Sequence, residues 1–218
     1  MRATGVVRFI FFGAVGFGIV WAVLGIYGGG FAIAGGVGLP MFGAIFSGDY
    51  LAFLKYPLVF SVGGAFAGAV LGLGLRDGRK AALMALLGAV GVFFGSFIAT
   101  ILYFLVSWVF FGAGGGVLEE ALSAAALGMV VGALLGLSFR SFRGMVVVAL
   151  MGLVGFGIGG LIAAALQGFP VQPSEGLFSL QSAAFGAVEG IIGGASLGAA
   201  LGYLESRKSA SERRPRVR

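Results

Sequence analysis

The chain has 218 residues, of which 59% are hydrophobic and 10% charged, and its mean hydropathy is +1.09. So little charge cannot cover a soluble domain, and the lack of Cys and His excludes disulfides, thiolate nucleophiles, His-based triads and the usual ligands of zinc, copper and haem. The net charge of +6 is concentrated in a few short segments, a pattern that encodes membrane orientation rather than nucleic-acid binding.

Apolar runs of roughly 20 residues recur along the chain, the length a bilayer demands. They predict helices at 6–27, 57–75, 81–111, 117–139, 144–167 and 177–204. The first is taken as a span rather than a cleaved leader, because its apolar stretch is too long and resembles the later ones. Segment 28–56 is read as an outer-side re-entrant or interfacial insertion. Gly28, Gly29, Gly30, Gly35, Gly36 and Pro40 argue against a continuous helix there. The stretch 81–111 is about 46 Å long at the helical rise, so it must tilt, bend near Gly95 and Ser96, or project beyond the bilayer.

With six spans, Arg2 and Arg8, the loops Arg76–Lys80 and Arg140–Arg143, and the basic tail 207–218 share one side. Only Lys55 among the 14 Lys and Arg falls opposite. Lys and Arg mark the cytoplasmic side, so both termini are expected there. Trp21, Tyr27, Tyr50, Tyr56, Tyr103 and Trp108 then fall near the outer interface, where amphipathic rings anchor. Such a basic tail favours contact with anionic lipid.

Glycine, at 43 residues, is the most informative residue type. Odd-numbered spans carry Gly13 and Gly16, Gly88 and Gly91, Gly152 and Gly155. Even-numbered spans carry Gly64, Gly68 and Gly72, then Gly128, Gly132 and Gly136, then Gly194, Gly198 and Gly202; in the last span the series starts earlier, at Gly186 and Gly190. The interval from Gly16 to Gly64 exceeds the corresponding later intervals by about ten residues, which is the 28–56 insertion. Glycine at every fourth position flattens one helix face and lets backbones approach. The expected architecture is therefore an all-α integral membrane protein. Six transmembrane helices form three parallel hairpin repeats, about 6–75, 81–139 and 144–204, in one domain spanning 1–206.

Glu189 is the one acid expected near the bilayer midplane, and an intramembrane carboxyl is a functional hypothesis by default. Gly190 and Gly193 leave space around it. It is expected to be protonated or hydrogen-bonded to hydroxyls such as Ser96, Thr100 or Ser196. The equivalent place in the second hairpin is Ser123. Glu119 and Glu120 open the fourth span, where acids complement the helix macrodipole. Asp49, Lys55 and Glu175 are read as solvated loop charges. Gly155, Gly157 and Gly160 match a dinucleotide-binding spacing, but no strand precedes them.

These features predict a non-catalytic multi-pass protein of a bacterial-type plasma membrane, without catalytic residues, cofactor or metal. Its expected partners are the lipid bilayer and other membrane subunits or further copies of itself, with no nucleic acid. The leading expectation is a structural or accessory subunit of a membrane complex packed through its glycine faces. The alternative is a small transporter or channel for protons, a monovalent cation or an apolar solute using Glu189.

Overall fold

The computed structural model describes residues 3–27, 50–75, 77–106, 108–109, 116–167 and 180–212. Among these are six helices: α1 (Ala3–Tyr27), α2 (Tyr50–Leu73), α3 (Gly78–Val106), α4 (Val117–Leu137), α5 (Phe142–Gln167) and α6 (Leu180–Glu212). All but α2 are long and apolar enough to cross a membrane, and α2 contributes the shorter apolar stretch Pro57–Leu73. No strand occurs among the described residues. Helices are the form such a chain must take, because hydrocarbon offers no partner for an unpaired backbone amide.

α2 begins at Tyr50, so residues 50–56 are helical rather than part of the expected insertion, and Pro57 lies inside the helix. The rest of that insertion, 28–49, lies outside the described residues, as does half of the expected basic tail, 213–218, while its first half, 207–212, continues the last helix.

Two short connections show how the chain reverses. After α2, the amides of Gly74 and Leu75 donate to the carbonyls of Leu71 and Gly72 at 3.0 and 2.9 Å. The Asp77 carboxylate then accepts from the Arg79 amide at 3.0 Å and caps α3. After α4, Ser141 takes the same place, accepting the Gly144 amide on its hydroxyl at 3.3 Å. Arg140 sits just before it at φ 52°, the left-handed conformation that lets a non-glycine residue end a helix only at a cost. Asp77→Ala should lower stability by about 0.5–2 kcal/mol, the usual effect of a lost cap. Thermal unfolding in detergent would show this as a lower midpoint, and an unchanged midpoint would mean that water caps α3 equally well.

The helices form a closed ring in chain order, with α6 returning to α1. The expected hairpin partners α1–α2, α3–α4 and α5–α6 do touch. The more extensive contacts, however, are α2–α3, α4–α5 and α1–α6. Glycine explains the difference. A Cβ on Gly64 would strike the Gly88 carbonyl and one on Gly88 the Gly64 carbonyl; Gly128 and Gly152 oppose each other likewise, as do Gly13 and Gly194. One turn further, Gly68 meets Met84, Gly132 meets Val148 and Gly198 meets Phe9. Another turn on, Gly72 meets Ala81, Gly136 meets Met145 and Gly202 meets Val6. At these points one backbone packs on another with no side chain between, which maximises dispersion contact where the hydrophobic effect cannot drive helices together.

The remaining odd-helix glycines face the other neighbour. Gly16 lies against Val70, Gly91 against Val131 and Gly155 against Ser196. Large side chains fill the interior, among them Phe9, Phe17, Trp21, Met84, Phe156 and Leu197, whereas Phe11, Val62, Phe94, Ile101 and Val154 project outward.

Because α1 is antiparallel to both α2 and α6, its start lies beside the 74–77 connection and the end of α6. The Arg8 guanidinium donates to the Gly74 carbonyl and ties these elements together. Arg8, Arg79, Lys80, Arg140, Arg143, Arg207 and Lys208 therefore gather at one end of the bundle, hereafter the basic end. The chain leaves α1 and enters α2 at the opposite end.

Candidate interior acid site

Glu189 lies nine residues after the start of α6, about 14 Å along the helix. It is 1% exposed, so it faces the bundle interior rather than lipid. The indole Nε1–H of Trp21 on α1 donates to its Oε1 at 3.1 Å. Its Oε2 has no hydrogen-bond partner among the described residues. Two glycines of α6 bring Trp21 close: Gly186 lies on the Trp21 carbonyl, and Gly190 lies on the Phe17 carbonyl and the Trp21 Cβ.

α5 separates α6 from α4 at this level, and it does so with two glycines. A Cβ on Gly159 would come within 2.9 Å of the Glu189 carbonyl, and one on Gly160 within 2.8 Å of the Ala124 Cβ. The absent side chains let α4 and α6 close in from either side. Glu120, near the start of α4 and 7% exposed, is within electrostatic reach of Glu189. Its neighbour Glu119 is fully buried. One Glu119 carboxylate oxygen accepts the Gly116 amide at 2.6 Å, and the other has no hydrogen-bond partner among the described residues. Ser123, also fully buried, has no hydrogen-bond partner for its Oγ among the described residues. It stands three and four residues after the two acids, on the same helix face.

Three aromatic rings pack on one another beside Glu189. Phe17 and Trp21 have centroids 5.5 Å apart, Phe17 and Phe156 5.6 Å, and Trp21 and Phe156 5.4 Å. Phe156 precedes Gly159 by one turn, and Gly193 receives its ring.

Several expectations change here. Trp21 is not an interfacial anchor: it is fully buried, because its indole is the donor that Glu189 requires. Tyr103 is also buried, whereas Trp108 is 85% exposed, as an anchor would be. Glu119 does serve the first turn of α4 through the Gly116 amide, yet neither it nor Glu120 is solvated. Of the hydroxyls expected near Glu189, Ser96 is buried on α3 and donates to the Val92 carbonyl at 2.6 Å, Thr100 is buried one turn beyond it, and Ser196 lies against Gly155. Ser123 and Glu189, expected to occupy equivalent places, both point inward, while Val59 at the corresponding position of α2 is 48% exposed.

Among the described residues, no three acid side chains converge closely enough to hold a metal ion. Comparison with protein-family models, curated proteins and solved structures gave no match.

Proposed function

We propose that the chain is a non-catalytic multi-pass membrane protein that moves protons or a monovalent cation by way of Glu189. One observation carries this reading. Glu189 is buried in the bundle of its own chain, with one carboxyl oxygen held by Trp21 and the other without a hydrogen-bond partner among the described residues. A carboxyl at membrane depth is expensive, and those that persist face the interior and mark ion or proton pathways. In this reading the basic end is cytoplasmic, as the Lys and Arg bias supports. The matched glycine contacts of the three close helix pairs support three parallel repeats about an axis along the membrane normal.

The test is proton, sodium and potassium flux in liposomes holding wild-type protein or Glu189→Gln. The expected result is flux in the wild type and its loss in the variant, since the amide preserves shape but carries no exchangeable charge. Flux that persists in Glu189→Gln, or none in the wild type, would sink the reading.

The second reading is a structural or accessory subunit of a membrane complex. The dense packing around Glu189, where aromatic rings and glycine backbone occupy the adjoining space, supports it. The glycine faces pack largely on this chain's own backbone, which leaves fewer flat faces for a partner. Stoichiometric co-purification of other subunits from the native membrane, together with absent flux, would favour this reading.

A further inference from the structure

We propose that Leu71, Leu135 and Leu201 form the barrier of the transport path, and that ions moved by way of Glu189 pass between them to a mouth beside Glu205 at the basic end. This rests on the reading that Glu189 carries transport, and it names what limits the passage.

The level of the three leucines follows from the glycine contacts. Each stands two turns after a glycine, Gly64, Gly128 or Gly194, that packs on the backbone of a neighbouring helix. They come from α2, α4 and α6, alternate members of the ring, and all are fully buried in one apolar cluster. Side chains at this level and the one nearer Glu189 reach across to other helix pairs. The Leu71 Cδ2 stands 3.3 Å from a Cβ placed on Gly13, where α1 meets α6, and the Leu197 Cδ2 stands 3.1 Å from one on Gly152, where α4 meets α5. Ala67, Val131 and Leu197, one turn nearer Glu189, are also fully buried, but Ala67 leaves that layer thinner.

Polarity changes on either side of the leucines. Among the described residues, every buried polar side chain lies at the depth of Glu189 or farther from the basic end. One turn beyond the leucines in the other direction, Leu75, Phe139 and Glu205 line a small cavity together with Lys80, Ser138 and Lys208. Glu205 takes there the place that Leu75 and Phe139 hold after α2 and α4, so an acid stands where packing alone is met by apolar residues. Glu189 and Glu205 are about 24 Å apart along α6, at the two ends of one ridge whose middle is Gly193, Leu197 and Leu201. An apolar constriction between polar ends excludes water until it widens, and so gates an ion path.

The chain has no cysteine, so single introduced thiols report how far water reaches from the basic end. Phe139→Cys lies at the mouth and Leu197→Cys one turn past the leucines. Each would be sealed into vesicles, with orientation assigned by protease access to the basic tail. Silver ions would be added on the side of that tail, and protection from later alkylation would be read. Leu197→Cys should be protected more slowly than Phe139→Cys by roughly tenfold or more. Added Leu135→Ala, or the milder Leu135→Val should the first not fold, should remove most of that difference. Flux of protons, sodium or potassium should rise severalfold in Leu71→Ala, Leu135→Ala and Leu201→Ala, and should be lost again when Glu189→Gln is added. Val62→Ala, on the outward face, should change neither readout. Equal protection of the two thiols without a leucine change overturns the barrier. So does flux unchanged in all three leucine variants while Glu189→Gln still abolishes it, or a rise that persists with Glu189→Gln, which would be a leak through a loosened bundle. Flux absent from the wild type and from every leucine variant, with Leu197→Cys still shielded, overturns the transport reading instead, and the path with it.

Discussion

Gly152→Leu should leave no folded bundle, and even Gly152→Ala should destabilise by about 1–3 kcal/mol, the scale of overpacking in a dense interior. A Cβ at Gly152 would fall on the Gly128 carbonyl, with the Leu197 side chain 3.1 Å away on the other flank. Backbone cannot swing aside as a flexible side chain can, so α4 and α5 would have to separate. Gly128→Ala meets the reciprocal obstacle, with the Phe156 Cβ at 2.7 Å. Because the two changes act on one contact, the double variant should lose less than the sum of the singles. Gly5→Ala and Gly78→Ala are the controls, since nothing lies within 4 Å of a Cβ at either. They should be neutral or stabilising, up to about 1 kcal/mol where helix propensity governs. Yield and thermal midpoint in detergent separate the two groups. Equal behaviour of Gly5→Ala and Gly152→Ala would show that the helices do not approach at Gly152.

The second large effect is expected at Phe156. Its side chain is fully buried, its ring contacts Phe17 and Trp21, and it seats in the space that Gly128 and Gly193 leave open. Phe156→Ala removes the ring from a place its surroundings cannot refill, because the walls are backbone on two sides. The loss should be about 3–5 kcal/mol, the range for truncating a core aromatic. Phe156→Leu should lose distinctly less, since it retains most of the volume. A midpoint in Phe156→Ala close to wild type would show that the ring does not fill the interior.

Much of this architecture is legible in the sequence. Apolar run length locates the helices to within a few residues, except at the end of α6, which runs on to Glu212, and at the start of α2. There Pro57 invites a helix start that the structure sets at Tyr50, because a proline early in a helix forfeits little. The glycine positions that recur in sequence are also the positions of closest approach. Which helix each glycine meets is harder to see, since the spacing alone favours partners joined at the outer end. Antiparallel pairing of the first and last helices settles it. With Gly13 opposite Gly194 and Phe9 opposite Gly198, Trp21 necessarily comes level with Gly186, next to Glu189.

The site is legible only in part. Glu189 stands out because it interrupts an apolar run. Trp21 reads as an interfacial ring because its residue type is common there, and only the register of α1 against α6 turns it inward. Glu119 and Glu120 read as first-turn acids, a role Glu119 does fill. Their burial follows from the thin Gly159–Gly160 face of α5, a property of a different helix.

All of this depends on Glu189 and its donor lying inside the bundle of a single chain. The direct measurement is fluorescence quenching by lipids brominated on their acyl chains, with Trp21 retained in Trp108→Phe and Trp108 retained in Trp21→Phe. Trp21 is fully buried and should be almost unquenched, while Trp108, 85% exposed, should be quenched strongly wherever bromine reaches its depth. Strong quenching of Trp21 would place the indole against lipid, and with it the Glu189 carboxyl it donates to, and would contradict the interior site.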